Sequence, residues 1–194
     1  MSKQLMALAF AAAAVMAAPA EATSVALPAD GSWNEFNVDS MIAADFGNGW
    51  IDESDGSALS FTFTVGAGQV GKLTVVDAGF AGDTFDITNF GTLLGATSGV
   101  ATGTTDGTTL LDFDAALADP AYSHGVFTFG AGTYSIGGAL LQSVQDGGVD
   151  LDATNGAVRL SISAIPEPSS PLLMLGGLAA VALLARRRKS LHSF

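Results

Sequence analysis

The 194-residue chain contains no cysteine. Disulfides, thiolate zinc sites, iron–sulfur clusters and a cysteine nucleophile are therefore excluded. Basic residues are scarce: 7 Lys and Arg stand against 19 Asp and Glu, a formal net charge of −12. That balance argues against nucleic acid as a partner, because Lys and Arg must neutralise phosphates there. There are only two histidines and two tryptophans. Yet mean hydropathy is positive, at +0.42. A chain both acidic and apolar must distribute its apolar residues unevenly. Its length suits one domain. It is not an acidic disordered tail, since Phe, Val, Ile and Thr recur throughout its middle.

Part of the apolar excess lies at the start. Lys3 precedes Leu5 to Ala18, apolar almost throughout, and then Pro19-Ala20-Glu21-Ala22. This order reads as a signal peptide over residues 1–22, a helix while in the membrane. Two cuts fit the small–x–small rule, before Glu21 and before Thr23. The second is preferred, because proline just before the scissile bond is the poorer substrate. Export through the Sec translocon follows.

The rest of the excess lies near the other end. Ile165-Pro166-Glu167-Pro168-Ser169 leads into an uncharged run, 170–185, expected to be a transmembrane helix. Arg186, Arg187, Arg188 and Lys189 follow, then a tail at 190–194. The basic cluster acts as a stop-transfer signal and stays cytoplasmic, which puts 23–164 on the far side. Counted from Ser169 to Ala185, the span is 17 residues, or about 25 Å of helix. A bilayer core asks for roughly 30 Å. Gly176-Gly177 weakens the helix further. Such an anchor suits temporary residence in the inner membrane.

Taken together, residues 165–189 resemble the PEP-CTERM sorting signal, with Pro166, Glu167 and Pro168 filling the motif positions. The resemblance implies an exported protein of a Gram-negative bacterium, handled by an exosortase. That enzyme is expected to cut near the motif and pass the protein to the cell surface or extracellular matrix. The form of the motif has a physical basis. Proline lacks an N–H and fixes φ, so Pro-x-Pro stays extended and stops the downstream helix from growing backwards. Asp77 to Asp86, Gly91 to Ser98, Asp119 to Gly125 and Phe127 to Ile136 also look like domains found before this signal. That likeness implies a β-sandwich of unassigned biochemical role.

The candidate domain, 23–164, is more acidic than the whole. It holds seventeen acids against Lys72 and Arg159 alone, a net charge of −15. Its glycine content makes long helices improbable on composition. The periodicity is two. Leu59, Phe61, Phe63 and Val65 alternate with Ser60, Thr62 and Thr64. Lys72–Asp77, Thr84–Asn89, Gly125–Phe129, Tyr134–Ile136 and Ala157–Ser163 read as further strands. The expected fold is all-β, an antiparallel β-sandwich or jelly-roll-like ectodomain. A single helical turn is expected over Asp114–Asp119, capped by Asp114 and stopped by Pro120. Phe61 to Gly68 and Phe127 to Gly132 both run into Gly-Ala-Gly, which reflects turn chemistry rather than duplication.

Catalytic equipment is sparse, and no catalytic residue is assigned. His124 has Ser123 and Asp119 nearby, but sequence neighbours point apart, and no Gly-x-Ser-x-Gly elbow occurs. The chain is read as a non-enzyme. Trp50 and Asp52 form a candidate glycan-binding pair, since an aromatic ring stacks on sugar. Together with Glu53 and Asp55, the same loop is the weaker candidate for a carboxylate-dependent hydrolase. Asp77, Asp83 and Asp86 surround a glycine-rich turn, and calcium is the cation such oxygens would suit. A second group, Asp146, Asp150 and Asp152, surrounds Gly147-Gly148. The functional expectation is a structural or adhesive surface or matrix protein. The alternative is a polysaccharide- or calcium-binding module, with exopolysaccharide as partner.

Overall fold

The computed structural model describes residues 22–43, 47–166 and 174–181. Strand β1 (Thr23–Ala26) opens the domain, so the preferred signal-peptide cut falls at its first residue. Strands β2 (Asp30–Asp39), β3 (Leu59–Val65), β4 (Gln69–Phe80), β5 (Thr84–Asn89), β6 (Thr92–Ala96) and β7 (Thr109–Leu110) follow. After helix α1 (Phe113–Ala118) come β8 (His124–Phe129), β9 (Gly132–Gln142), β10 (Gln145–Asp146), β11 (Val149–Asp150) and β12 (Ala153–Ala164).

Two sheets of five strands face each other. The first runs β1-β3-β9-β5-β6. The second runs β2-β12-β4-β7, with β8 pairing the same edge of β4. Phe61 and Phe85 of the first sheet share one buried cluster with Phe36, Val75 and Leu160 of the second. The expected all-β sandwich is therefore present. One pair departs from the antiparallel expectation: β1 runs parallel to β3. The chain leaves β1 for β2 in the other sheet and re-enters beside β1 in the same direction. Among the described residues, every strand pairing and both apolar clusters lie within 23–164, so this segment carries its own core.

The two Gly-Ala-Gly turns both cross between sheets. The first joins β3 to β4, and the second joins β8 to β9. Because β3 pairs β9 and β4 pairs β8, the turns lie at the same end of the sandwich. Their likeness follows from making the same corner.

The helix differs in one detail from expectation. Its N-cap is Asp112, whose side chain accepts from the N–H groups of Asp114 and Ala115. Asp114 sits instead in the first turn and pairs with Arg159 at 2.8 Å. Arg159 also lies over Trp33, 4.3 Å from the ring centroid. The helix covers part of the outer face of the second sheet, through Ala116 against Val76, Tyr122 and Ala157.

Among the described residues, no helix is long and apolar enough to cross a membrane. Residues 174–181 are helical. The remainder of the expected span, most of the signal peptide, Glu167, Pro168, Arg186, Arg187, Arg188, Lys189 and the tail lie outside the described residues.

Candidate functional site

Trp50 does not offer a sugar platform. It is 2% exposed and belongs to the main core. The segment around it ties the sheets together: the Trp50 N–H donates to Gly138 O of β9, and the Ile51 N–H donates to Asn37 O of β2. The indole stacks on Phe36 at 3.9 Å between centroids, 16° from parallel. Glycines on both sheets make room. A Cβ at Gly138 would meet Trp50 Cε2 at 2.4 Å, and one at Gly156 would meet Phe36 Cζ at 2.4 Å. Two glycines inside long strands, costly for a strand on propensity alone, are thus explained by one aromatic pair.

Asp52 lies in a tight loop. Its Oδ1 accepts from the N–H of Ser54 at 2.8 Å and from its hydroxyl at 2.6 Å. These hydrogen bonds hold its carboxyl below the usual carboxylate range. The Asp55 carboxylate accepts from the Ser57 N–H. Both acids shape the turn, as Asp commonly does.

The structure brings together two of the three acids proposed for calcium. Asp77 is 0% exposed and Asp83 1%. Asp77 Oδ2 accepts from the Gly82 N–H, and Asp83 Oδ1 accepts from the Val144 N–H at 2.7 Å. Burial, then the neighbouring Asp83, pushes the Asp77 carboxyl up to about 9. Burial pushes Asp83 up to about 6. Two adjacent carboxyls in a dry interior cannot both carry charge cheaply, so one proton stays. Asp86 does not join them. In β5, Phe85 and Ile87 face the core, so the period of two turns Asp86 outward. The acids of the second group each hold a separate partner: Asp146 takes the Thr105 hydroxyl, Asp150 the Gln145 amide and Asp152 the Asn48 amide. Among the described residues, no three acidic or histidine side chains converge to hold a metal.

His124 begins β8, and its backbone N–H donates to Ser98 Oγ. The Ser123 hydroxyl is buried and 3.0 Å from Thr97 Oγ1. Asp119 caps the end of α1 and accepts from the Ala121 N–H. Ser123, His124 and Asp119 share no hydrogen bond with one another.

A concave feature lies elsewhere, on the outer face of the second sheet. It is a groove of about 420 Å³. Its floor crosses four strands in register: Asn37 of β2 opposes Asn155 of β12, which opposes Ala78 of β4, and the next residue, Gly79, opposes Leu110 of β7. Gly79 adopts φ +76°, and a Cβ there would meet Asn155 Oδ1 at 2.7 Å. Asn155 can therefore lie flat and donate to Glu35 Oε1 at 3.2 Å. Ile42 and Glu53 line the groove, as do Phe80 and Leu111. A second cleft of about 250 Å³ shares Glu35, Asn37, Ile51 and Glu53 and adds Asp52. The sequence reading missed this groove. Its one local signal was the alternation Trp33, Glu35, Asn37, Asp39 against Phe36 and Val38 in β2.

Fold and flanking segments define a class: an all-β domain of two packed sheets, followed by a sorting segment. Residues 164–189 match the model of the PEP-CTERM protein-sorting motif. The chain therefore carries a PEP-CTERM signal, the mark of an exosortase substrate. That signal implies an exported precursor, anchored in the membrane until an exosortase processes it. No curated protein matches the chain. Among solved structures, the pre-peptidase C-terminal domain of a collagenase from Bacillus anthracis aligns with 14% identity and a TM-score of 0.34. The alignment covers 76% of this chain and 99% of that one. At that score the likeness carries no argument about function.

Proposed function

We propose that the folded domain is a non-catalytic structural or adhesive module, displayed on the cell surface or in an exopolysaccharide matrix. Export by the Sec translocon and a transient stay in the inner membrane precede its delivery. The observation that carries this reading is the sorting signal placed directly after β12. The use of polar side chains supports it. Asp52, Asp55, Asp112 and Asp119 each hold backbone N–H groups of their own loop or helix end. Ser123, His124 and Asp119 share no mutual hydrogen bond of the kind a catalytic triad needs.

Replacing Pro166, Glu167 and Pro168 together by alanine tests the sorting step. The variant should accumulate in the inner membrane at full length. Normal delivery to the surface would overturn the role given to the motif. The non-catalytic reading has a separate test. Release of reducing sugar by the excised 23–164 domain, abolished by Asp52→Asn with Glu53→Gln, would refute it.

A further inference from the structure

We infer that the groove across β2, β12, β4 and β7 binds an extended, amine-bearing glycan, of the class of partly de-N-acetylated amino-sugar polymers. The inference rests on the proposed display of the domain at the surface or in a matrix, and it names the ligand class.

Three features of the groove lead to this ligand. The first is shape. The cleft runs across four strands and continues into the second cleft through Glu35, Asn37, Ile51 and Glu53. A trough of this form accepts a chain rather than a compact molecule. The second is the mixture of surfaces. Phe80, Leu111 and Ile42 offer apolar area to the C–H faces of sugar rings, while Asn37 and Asn155 offer amides to hydroxyls. Leu111 is 71% exposed and Ile42 51%, so water covers them when the groove is empty. The third is charge. Glu35, Asp39 and Glu53 line the main cleft, and Asp52 lines its extension. Among the described residues, no Lys, Arg or His lines either cleft.

That charge selects among glycans. The domain carries −15 overall, so a polyuronate is repelled before contact. A neutral glucan gains only hydroxyl and ring contacts. A polymer with protonated amines gains these and also meets carboxylates that have no protein cation opposite them. Electrostatic complementarity of this kind sets specificity and on-rate. It also weakens as salt screens the charges.

The excised 23–164 domain is titrated at mildly acidic pH with four probes: a glucosamine oligomer, its fully N-acetylated counterpart, an alginate oligomer and polylysine. Binding of the glucosamine oligomer is expected, with none to alginate and clearly weaker binding to the N-acetylated form. Glu35→Gln with Glu53→Gln should weaken it by about tenfold or more, and high salt should do the same. Leu111→Lys, which places a cation on the opposite wall, gives an independent loss without touching a carboxylate. Both variants should keep the wild-type melting temperature.

Equal affinity for the N-acetylated oligomer would overturn the role of the amines. Equal affinity for polylysine would show that charge alone is read and would overturn the glycan assignment. Silence towards every probe, in a protein still delivered to the surface, would overturn this inference and leave the sorting reading intact.

Discussion

Replacing Trp50 by alanine distinguishes a core residue from a binding platform. The ring is 2% exposed, stacks on Phe36 and meets the edge of Phe61 at 6.1 Å. Truncating a buried aromatic to alanine costs about 3–5 kcal/mol. For a domain of this length, the unfolding entropy of about 2.1 cal/mol/K per residue gives roughly 0.3 kcal/mol per degree. The melting temperature should therefore fall by about 10–17 °C. Truncating an exposed tryptophan would cost only the ~0.5 kcal/mol typical of surface changes, a shift of about 2 °C. Differential scanning calorimetry of the excised domain measures this directly. Gly138→Ala probes the same contact from the other side. Its methyl would collide with the indole and with the Asp86 carbonyl oxygen 2.9 Å away, and overpacking of this kind costs about 1–3 kcal/mol. A melting temperature within about 2 °C of wild type for Trp50→Ala would refute the assignment of this ring to the core.

The buried acids give a pH signature. Folded Asp77 holds a proton that the unfolded chain releases above about 3.8. This contribution to stability is full at low pH and declines as pH rises towards about 9, with Asp83 declining over the window up to about 6. The domain should melt higher near the start of that window than at its end, and Asp77→Asn should flatten the slope above about pH 6. A steeper loss in the variant would contradict the reading. Millimolar calcium should leave the melting temperature unchanged. A ligand at 100 times its Kd would instead add ~2.7 kcal/mol, which is easily seen. Asp112→Ala removes the acceptor at the start of α1 and should cost about 1 kcal/mol, read as a lower melting temperature. Asp114→Ala, which leaves that cap in place, should cost less, since its ion pair with Arg159 is exposed.

The parts of the fold that were legible are those where chemistry repeats locally. The alternation of Leu59, Phe61, Phe63 and Val65 matches β3 end to end, and Thr84–Asn89 matches β5. The apolar face picked out by the β3 alternation, Leu59, Phe61, Phe63 and Val65, lies in the core. The missed elements carry that repeat only in part or not at all. Strand β2 carries Trp33 on its outer face, where it packs under Arg159 and against Phe113, so its apolar residues appear on both sides. Strand β6, Thr-Leu-Leu-Gly-Ala, has no alternation and breaks register beside Thr88. The candidate sites fared unevenly for a related reason. Proximity in sequence grouped Asp86 with Asp77 and Asp83, but the two-residue period of β5 sends it to the opposite face.

The sequence by itself determined that the chain carries a sorting signal. A sorting signal is a linear object, read from residue order by a translocon or an exosortase, and needs no distant partner. It also determined that the domain would be β, because a period of two is a local property of the backbone. Only the tertiary structure decided what the chemistry-bearing residues do. Trp50 is a core residue because β9 and β12 place Gly138 and Gly156 where its stack with Phe36 needs space. Asp77 keeps a proton because folding removes water from it and sets Asp83 beside it. The groove exists because Asn37, Gly79 and Asn155, far apart along the chain, meet in one sheet. Such contacts depend on strand order and register, which are set by the packing of the whole domain.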